Sequence, residues 1–339
     1  MNFYMNLRNR LKAFTLLNVV FITAFTNAQN PIFRQSYSHR ILTNPALIGT
    51  GHIDFGEAAR IVSGTKAQWL GLNKKRMYTQ NISVDMPAGS TNTSWGFSAF
   101  TTDLNSGNSD QSKYSHFSGM LAYAYNIRLR KTRLKLGMTA QFSSFTFGKE
   151  QFFWDDQINE SMSGFVKPTA EPLAQITKNV FHASAGAVFY TEKGFLGVSA
   201  FNLNEPDISF YEGTNQKIPL KFHVIGGLNF KKEFDNYAII PTASYTHQSD
   251  VQSISLMVNV NYLNFRVGAG AQNTIAYQGK AWALNHYFGA RFKNYFVSYC
   301  TDWNLSINNA SVPVTHEITL MVLPALKMRK RNPDPFPEF

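Results

Sequence analysis

Short stretches of alternating apolar and polar residues follow one another along most of this chain, and turn residues separate them. The stretch at residues 253–262 shows the pattern most clearly. Its apolar positions are Ile254, Leu256, Val258, Val260 and Tyr262, and its polar positions are Ser253, Ser255, Asn259 and Asn261. Successive side chains of a β-strand point to opposite faces. The pattern therefore predicts strands with one apolar and one polar side, which is typical of strands between lipid and a polar lumen.

The pattern predicts fourteen such strands, an even number, as single-chain bacterial barrels have. We place them at residues 51–61, 77–86, 94–103, 115–127, 133–146, 181–191, 194–203, 220–231, 237–248, 253–262, 264–272, 281–292, 295–303 and 315–323. Tight turns are predicted at 192–194, 263–264 and 293–294, and long connections at 147–180, 203–219 and 303–314. This asymmetry favours an all-β fold, a transmembrane antiparallel β-barrel over 51–323. A soluble β-sandwich or soluble barrel is the alternative that strand alternation alone would also fit.

The N-terminus has the pattern of a secretion signal. Arg8, Arg10 and Lys12 precede a mostly apolar stretch at 13–25, which is too short for an ordinary transmembrane helix. Small residues at Thr26-Asn27-Ala28 predict cleavage after Ala28. Residues 1–28 are thus expected to be a signal peptide that directs the chain to the bacterial outer membrane.

Two segments outside the predicted barrel are expected in the periplasm. Residues 29–50 are predicted to be extended, either plugging the barrel or binding a partner, or else only turning the chain into the first strand through Asn44-Pro45. Residues 324–339 form a basic, Pro-rich tail. This tail is either a solvated extension or a docking arm for an acidic periplasmic partner.

Composition adds to this picture. Aromatic residues make up 14% of the chain, enough to supply girdles at both membrane interfaces. The formal net charge of +11 is not clustered into a nucleic-acid footprint, so no nucleic acid is expected as a partner. Cys300 is the single cysteine and excludes an intramolecular disulfide. The small residues at 183–187 predict a wall against which something else packs.

Motifs for catalysis or for a cofactor are missing from the sequence. It has no G-x-S-x-G, H-E-x-x-H or P-loop and no Cys/His metal spacing, so we expect neither an enzyme nor a cofactor. An outer-membrane lipid hydrolase is a remote alternative, for which Ser115-His116 or Ser184 near His182 would be the candidate pairs. Asp155-Asp156 lacks the regular ligand spacing of a calcium loop.

Several short motifs carry a family resemblance. The first follows the signal and reads Gln29-Asn30-Pro31-Ile32-Phe33-Arg34-Gln35, then Asn44-Pro45-Ala46. Further motifs are Gln68-Trp69, Asp85-Met86-Pro87, Trp95-Gly96-Phe97, Leu134-Lys135-Leu136-Gly137, Ser298-Tyr299 with Asp302, and His316-Glu317-Ile318-Thr319-Leu320. In their order and spacing they resemble the PorP/SprF family of outer-membrane proteins of the type IX secretion system of Bacteroidetes, although Asn30 stands where the family usually has Asp.

The resemblance implies a non-catalytic role in secretion or surface attachment, as in gliding motility. Its partners would be type IX secretion components, a large secreted cargo protein, or both, and outer-membrane lipid would surround it. The loop at 147–180 is the candidate cargo-contact surface. A channel or hydrophobic-solute transporter is the alternative function. The candidate partner-binding residues are Pro31, Phe33, Gln35, Asn44, Pro45, Gln68, Trp69, Asp302, His316 and Glu317.

Overall fold

The computed structural model describes residues 33–51, 59–70, 75–88, 92–106, 112–147, 176–209, 215–231, 236–276, 279–305, 314–324 and 336. The predicted signal peptide, Pro31 and most of the loop at 147–180 lie outside this part of the chain, as does Asp155-Asp156. Within the described residues no helix is long and apolar enough to cross a membrane.

Antiparallel β-strands make up almost all of the described chain. They are β1 (Arg60–Leu70), β2 (Lys75–Pro87), β3 (Thr93–Ser106), β4 (Ser112–Leu129), β5 (Thr132–Phe147), β6 (Ile176–Tyr190), β7 (Gly194–Phe201), β8 (Lys221–Leu228), β9 (Phe230–Lys231), β10 (Tyr237–Gln248), β11 (Val251–Tyr262), β12 (Phe265–Ala276), β13 (Gly279–Phe292), β14 (Tyr295–Asn304) and β15 (Val314–Val322). Two further elements precede them, α1 (Arg40–Thr43) and a 3-10 turn (Pro45–Leu47).

The strands close into a barrel of fourteen staves, since β8 and β9 are two parts of one stave that pair with β10. Each stave pairs with its neighbour in sequence, and β1 closes the barrel by pairing with β15 from Ile61↔Val322 to Leu70↔Val314. The predicted even count and antiparallel topology are confirmed. A closed barrel leaves no exposed sheet edge, which is the arrangement that a strand protein needs to cross lipid.

The first predicted strand is wrong in position. It was expected at 51–61, but β1 runs from Arg60 to Leu70 and contains Gln68-Trp69, which were expected after it. The outward side chains of β1 include Ser63 and Thr65, which are exposed, so this strand lacks the apolar alternation on which the prediction rested. The other thirteen staves overlap their predicted positions.

The outer face of the barrel is apolar. Ile254, Leu256, Val258 and Tyr262 of β11 are all exposed on it, whereas Asn259 of the same strand is buried inside. Exposed aromatic side chains cluster where strands meet short turns. They are Phe230, Tyr237, Tyr262, Phe265, Phe292 and Tyr295. This arrangement matches a lipid-facing band with an aromatic girdle and not a soluble sandwich, which would cover its apolar faces.

The two ends of the barrel differ. The connections at 130–131, 191–193, 263–264 and 293–294 are short turns, and β1 begins and β15 ends at this same end. Arg130, Leu263 and Lys293 take positive φ angles of 47°, 52° and 53° there, as the first residue of a two-residue hairpin turn requires. The strand ends on either side of residues 148–175 and 202–220 lie at the other end, together with the short turn at 249–250. Short turns and chain termini face the periplasm in such barrels, and long loops face outward.

Candidate functional site

Residues 33–51, which we call the luminal segment, lie inside the barrel. They contact inward-facing side chains of β1, β14 and β15 on one wall and of β5, β6 and β7 on the opposite wall. The sequence predicted an extended segment here, but α1 and the 3-10 turn fold it compactly, with Ile41, Ala46 and Ile48 almost fully buried. The side chain of Asn44 accepts a hydrogen bond from the Ala46 amide at 2.8 Å and starts the 3-10 turn, where Pro45 needs no donor.

A charged cluster anchors the start of the luminal segment to β14, β15 and β1. The Arg34 guanidinium donates to Asp302 at 2.5 Å, and the Arg34 backbone amide donates to both carboxylate oxygens of Glu317 at 2.9 and 3.1 Å. Lys66 of β1 lies 3.3 Å from Glu317. Asn285 donates a further hydrogen bond to Asp302. Two cations thus face two carboxylates in a largely buried site, where such charges must be paired.

Aromatic and polar contacts continue this anchor. Ser298 donates to the Gln35 side-chain oxygen at 2.5 Å. The Phe33 and His39 rings stack with centroids 3.9 Å apart, and His39 hydrogen-bonds Asn81 at 3.1 Å and Thr319 at 3.2 Å. Burial disfavours the charged imidazole and lowers the pKa of His39 to about 4. His39 is therefore a neutral ring at neutral pH.

Backbone contacts anchor the middle of the segment to the opposite wall. The Asn44 side-chain nitrogen Nδ2 donates to the Val198 backbone carbonyl at 2.9 Å. Ser199 and His223 both donate to the Thr43 carbonyl at 3.1 Å. A Cβ on Gly137 would lie only 2.5 Å from the Pro45 carbonyl carbon. Position 137 has no side chain because the luminal segment occupies the space.

The wall predicted from the small residues at 183–187 is part of this contact. Gly186 faces inward, and a Cβ at that position would overlap the Asn44 side-chain oxygen. The neighbouring residues Ala183, Ala185 and Ala187 alternate with it and face outward. One glycine of the predicted stretch therefore makes the close contact.

The end of the segment is held by a lysine and an aspartate. Lys135 of β5 is 1% exposed, donates to the Ile48 carbonyl and also donates to Ser94 at 2.9 Å. The Gly49 amide donates to Asp85 at 2.6 Å, and Arg60 binds the same carboxylate at 3.0 and 2.5 Å. Gly49 has a φ of +62°, which a glycine adopts without strain.

The structure brings together six of the residues singled out from the sequence. Phe33, Gln35, Asn44, Pro45, Asp302 and Glu317 all belong to the luminal segment or its contacts. His316 does not join them, because neighbouring strand residues point to opposite faces; it lies outside and hydrogen-bonds the Tyr299 hydroxyl at 2.6 Å. Gln68 lies in β1, half-buried, and the Trp69 side chain is outside the described part.

Sequence reasoning did not single out several residues of this site as partner-binding candidates, although Arg34 and Lys135 stand in the family motifs. Arg34, His39 and Lys135 form central contacts, and their partners lie far away in sequence, as with the 268 positions between Arg34 and Asp302. One signal was available in the sequence. A cation near the N-terminus, Arg34, could be expected to pair with carboxylates of the last two strands inside the same barrel. A barrel's lumen must pair its charges, but a sequence does not say which face of a strand holds which partner.

The two serine–histidine pairs considered from the sequence are not assembled in the described residues. Ser115 faces outward whereas His116 is buried inside, and neither the Ser184 hydroxyl nor the His182 Nε2 atom has a hydrogen-bond partner there. A serine nucleophile needs a base within hydrogen-bond reach. No group of three or more His, Cys, Asp or Glu side chains in this part of the chain could hold a metal ion. Cys300 is buried on the inner wall.

Solved structures with the same fold are outer-membrane barrels. The toluene transporter TbuX of Ralstonia pickettii aligns with a TM-score of 0.52 at 11% identity, covering 84% of this chain and 93% of that one. A Pseudomonas aeruginosa FadL homologue gives a TM-score of 0.51 at 10% identity over 83% and 92% of the two chains. The toluene transporter TodX of P. putida gives 0.51 at 8% identity over 84% and 93%. At these identities the likeness concerns the fold.

Sequence comparison gives a more specific result. No curated protein matches the chain. A family model described as "Type IX secretion system membrane protein PorP/SprF" matches residues 25–322, which include the luminal segment and every stave of the barrel. The match covers the residues that carried the resemblance, from Gln29 to Leu320. The chain therefore belongs to the PorP/SprF family of type IX secretion system membrane proteins, and it is an outer-membrane β-barrel.

Proposed function

We propose that this barrel is closed by its own luminal segment and acts without catalysis by binding other proteins. Its partner is either a component of the type IX machinery or a secreted surface protein that it helps to export or anchor. The observation that carries the proposal is the bridge from Arg34 on one wall to Asn44 on the opposite wall. A lumen filled in this way leaves the two ends of the barrel as the working surfaces.

The luminal segment makes too many contacts with buried wall residues to be a loosely held peptide in an open pore. Asp302, Glu317 and Asp85 are buried carboxylates that each bind this segment directly, and Lys135 binds its far end. Removing the segment would take the Arg34 contacts from Asp302 and Glu317 and the Gly49 amide from Asp85, and the loss of hydrogen bonds to buried charges is costly. The closed arrangement is thus the stable one for these wall residues.

The outward-facing loops supply the proposed contact surface. In the loop at 202–220, the backbones of Asp207 and Lys217 form an isolated antiparallel β-bridge. The Asp207 carboxylate accepts hydrogen bonds from the Ser209 backbone amide at 2.8 Å and the Gln216 backbone amide at 3.3 Å. Ile208 and Ile218 of the same loop are buried. Residues 207–209 and 216–218, which these contacts hold in place, lose less conformational entropy on binding, and this favours recognition of a protein partner.

Co-purification from native outer membranes tests the proposal. The tagged protein is isolated in mild detergent and the co-purifying proteins are identified by mass spectrometry. Recovery of one large secreted surface protein supports a cargo-specific anchor, and recovery of periplasmic and lipoprotein components supports a role in the machinery. Recovery of the barrel alone contradicts both. Asp207→Ala removes the carboxylate that accepts from the Ser209 and Gln216 amides and is expected to reduce recovery of an outward-facing partner. Asp250→Ala, in the short turn at 249–250 at the same outward end of the barrel, is the control and is expected to leave that recovery unchanged.

A channel for hydrophobic solutes is the competing function. The likeness to the toluene transporters TbuX and TodX favours it only at the level of the fold. The transporter function requires a path past residues 33–51. Solute uptake by vesicles containing the purified barrel distinguishes the two functions, because the proposed closed barrel takes up no solute.

A further inference from the structure

Phe336, near the C-terminus, is buried against the periplasmic end of the barrel wall. It is 6% exposed, and its ring centroid lies 5.1 Å from that of Tyr190 and 5.4 Å from that of Phe195. Tyr190 ends β6 and Phe195 begins β7, on either side of the short turn at 191–193. Phe336 therefore occupies an aromatic pocket at the mouth of the lumen.

The same ring contacts the luminal segment. Phe336 packs in one cluster with Ala46 and Leu47, and the Arg40 guanidinium lies over its face, 5.3 Å from the ring centroid. Arg40 also donates to the carbonyls of Tyr37 at 2.9 Å and Thr50 at 2.5 Å. Arg40 thus links both ends of the segment, and Phe336 covers it. A cation over an aromatic face is favourable, more so when both are buried.

The pocket lies on the opposite side of the barrel from the place where the last strand ends. β15 ends beside β1 and β14, whereas β6 and β7 lie on the opposite side of the closed barrel. Phe336 is twelve positions after Pro324, a length of chain that reaches roughly 40 Å when extended. The chain is therefore long enough for its C-terminal part to reach the far wall.

We propose that Phe336 is a latch, which fills a pocket formed by Tyr190, Phe195 and Arg40 and holds the luminal segment in the barrel. The pocket is a binding site for one aromatic side chain, and its occupant is this chain's own Phe336. Phe336 covers the luminal segment from the periplasmic end. Any factor that opens the lumen from the periplasm has to withdraw Phe336 first. This proposal holds whichever partner the barrel binds.

Hydrogen exchange of the purified full-length protein in detergent tests the latch. Phe336→Ala is expected to speed amide exchange in residues 40–50 by roughly tenfold, since the lost aromatic and cation–π contacts hold this region closed. Phe230→Ala is the matched control, because Phe230 is 58% exposed on the outer face at the same end. The control is expected to leave exchange in residues 40–50 unchanged. Unchanged exchange in folded Phe336→Ala overturns the proposal.

A second measurement keeps the aromatic rings of the latch. Lys193→Cys, in the turn between Tyr190 and Phe195, and Pro337→Cys, the residue after Phe336, are combined in a Cys300→Ala background and treated with a short bifunctional maleimide. An intramolecular cross-link supports the latch, and its absence in the folded, doubly labelled protein overturns it. Both experiments use the isolated barrel, so their failure leaves the co-purification result, and with it the proposed function, standing on its own.

Discussion

Gly137 of β5 lies directly against the backbone of Pro45, so that a Cβ at position 137 would come within 2.6 Å of the Pro45 carbonyl oxygen. The contact joins the barrel wall to the middle of the luminal segment, 92 positions earlier in the chain. It requires that position 137 have no side chain. Close packing of this kind makes the luminal segment an integral part of the folded barrel.

Gly137→Ala is accordingly expected to destabilise the protein. The added methyl group has to displace backbone atoms, which typically costs about 1–3 kcal/mol. Gly119→Ala is the control, because nothing lies within 4 Å of a Cβ at that position. Denaturant midpoints of the two variants in detergent measure the difference. Equal midpoints for both would show that the luminal segment does not pack on β5.

Arg34→Gln is expected to weaken the anchor of the luminal segment. The substitution leaves the Asp302 carboxylate, whose side chain is 9% exposed, without its cation. Loss of one partner from a buried pair costs about 3–5 kcal/mol, and less here because Arg34 is 18% exposed. The free energy of unfolding measures the loss. Adding Asp302→Asn to the same chain should restore part of the stability, and no restoration would mean that the pair is not the cause.

The pH dependence of stability should include a contribution from His39. Its pKa falls to about 4 in the folded state, below the ordinary value of 6.5, so its contribution is fully present above pH 6.5. It is lost as the pH falls from 6.5 toward 4, because the unfolded chain takes up a proton that the folded chain does not. The whole effect is at most about 3 kcal/mol. A plot of the free energy of unfolding against pH, between pH 7.5 and 4, should be flatter for His39→Gln than for the wild type. Equal slopes for the two proteins would contradict this.

The lipid-facing surface can be tested with one charge at two depths. Leu256→Arg places a cation on the outer face in the middle of β11, where Leu256 is 58% exposed, and is expected to cost about 2–4 kcal/mol in a bilayer. Leu263→Arg makes the same change in the adjoining periplasmic turn and should cost about 0–1 kcal/mol. Folding into lipid vesicles at graded urea concentrations compares them. Similar costs at both positions would place this face outside the membrane.

The barrel was predictable because its signal is local. The alternation around Leu256 and Val258 specifies a strand and its lipid side without reference to any other part of the chain. The first strand was misplaced because Ser63 and Thr65 face outward on β1 and hide the alternation. The pairing of β1 with β15 then decided its position.

The interior of the barrel was much less predictable. The luminal segment has no helical or strand periodicity, and its contacts join residues more than 100 positions apart, such as Asn44 and Val198. The small residues around Gly186 did indicate that something packs there. They did not indicate what, because a glycine removes a side chain without specifying its neighbour.

Ion conductance in planar bilayers tests the central claim most directly, that residues 33–51 close the lumen. Equal amounts of the folded full-length protein and of a variant lacking residues 33–50 are inserted, with folding of both checked by heat-dependent gel migration. We expect no steady conductance from the full-length protein and open pores from the deletion variant. Steady conductance of similar size from both would contradict the account and favour a channel.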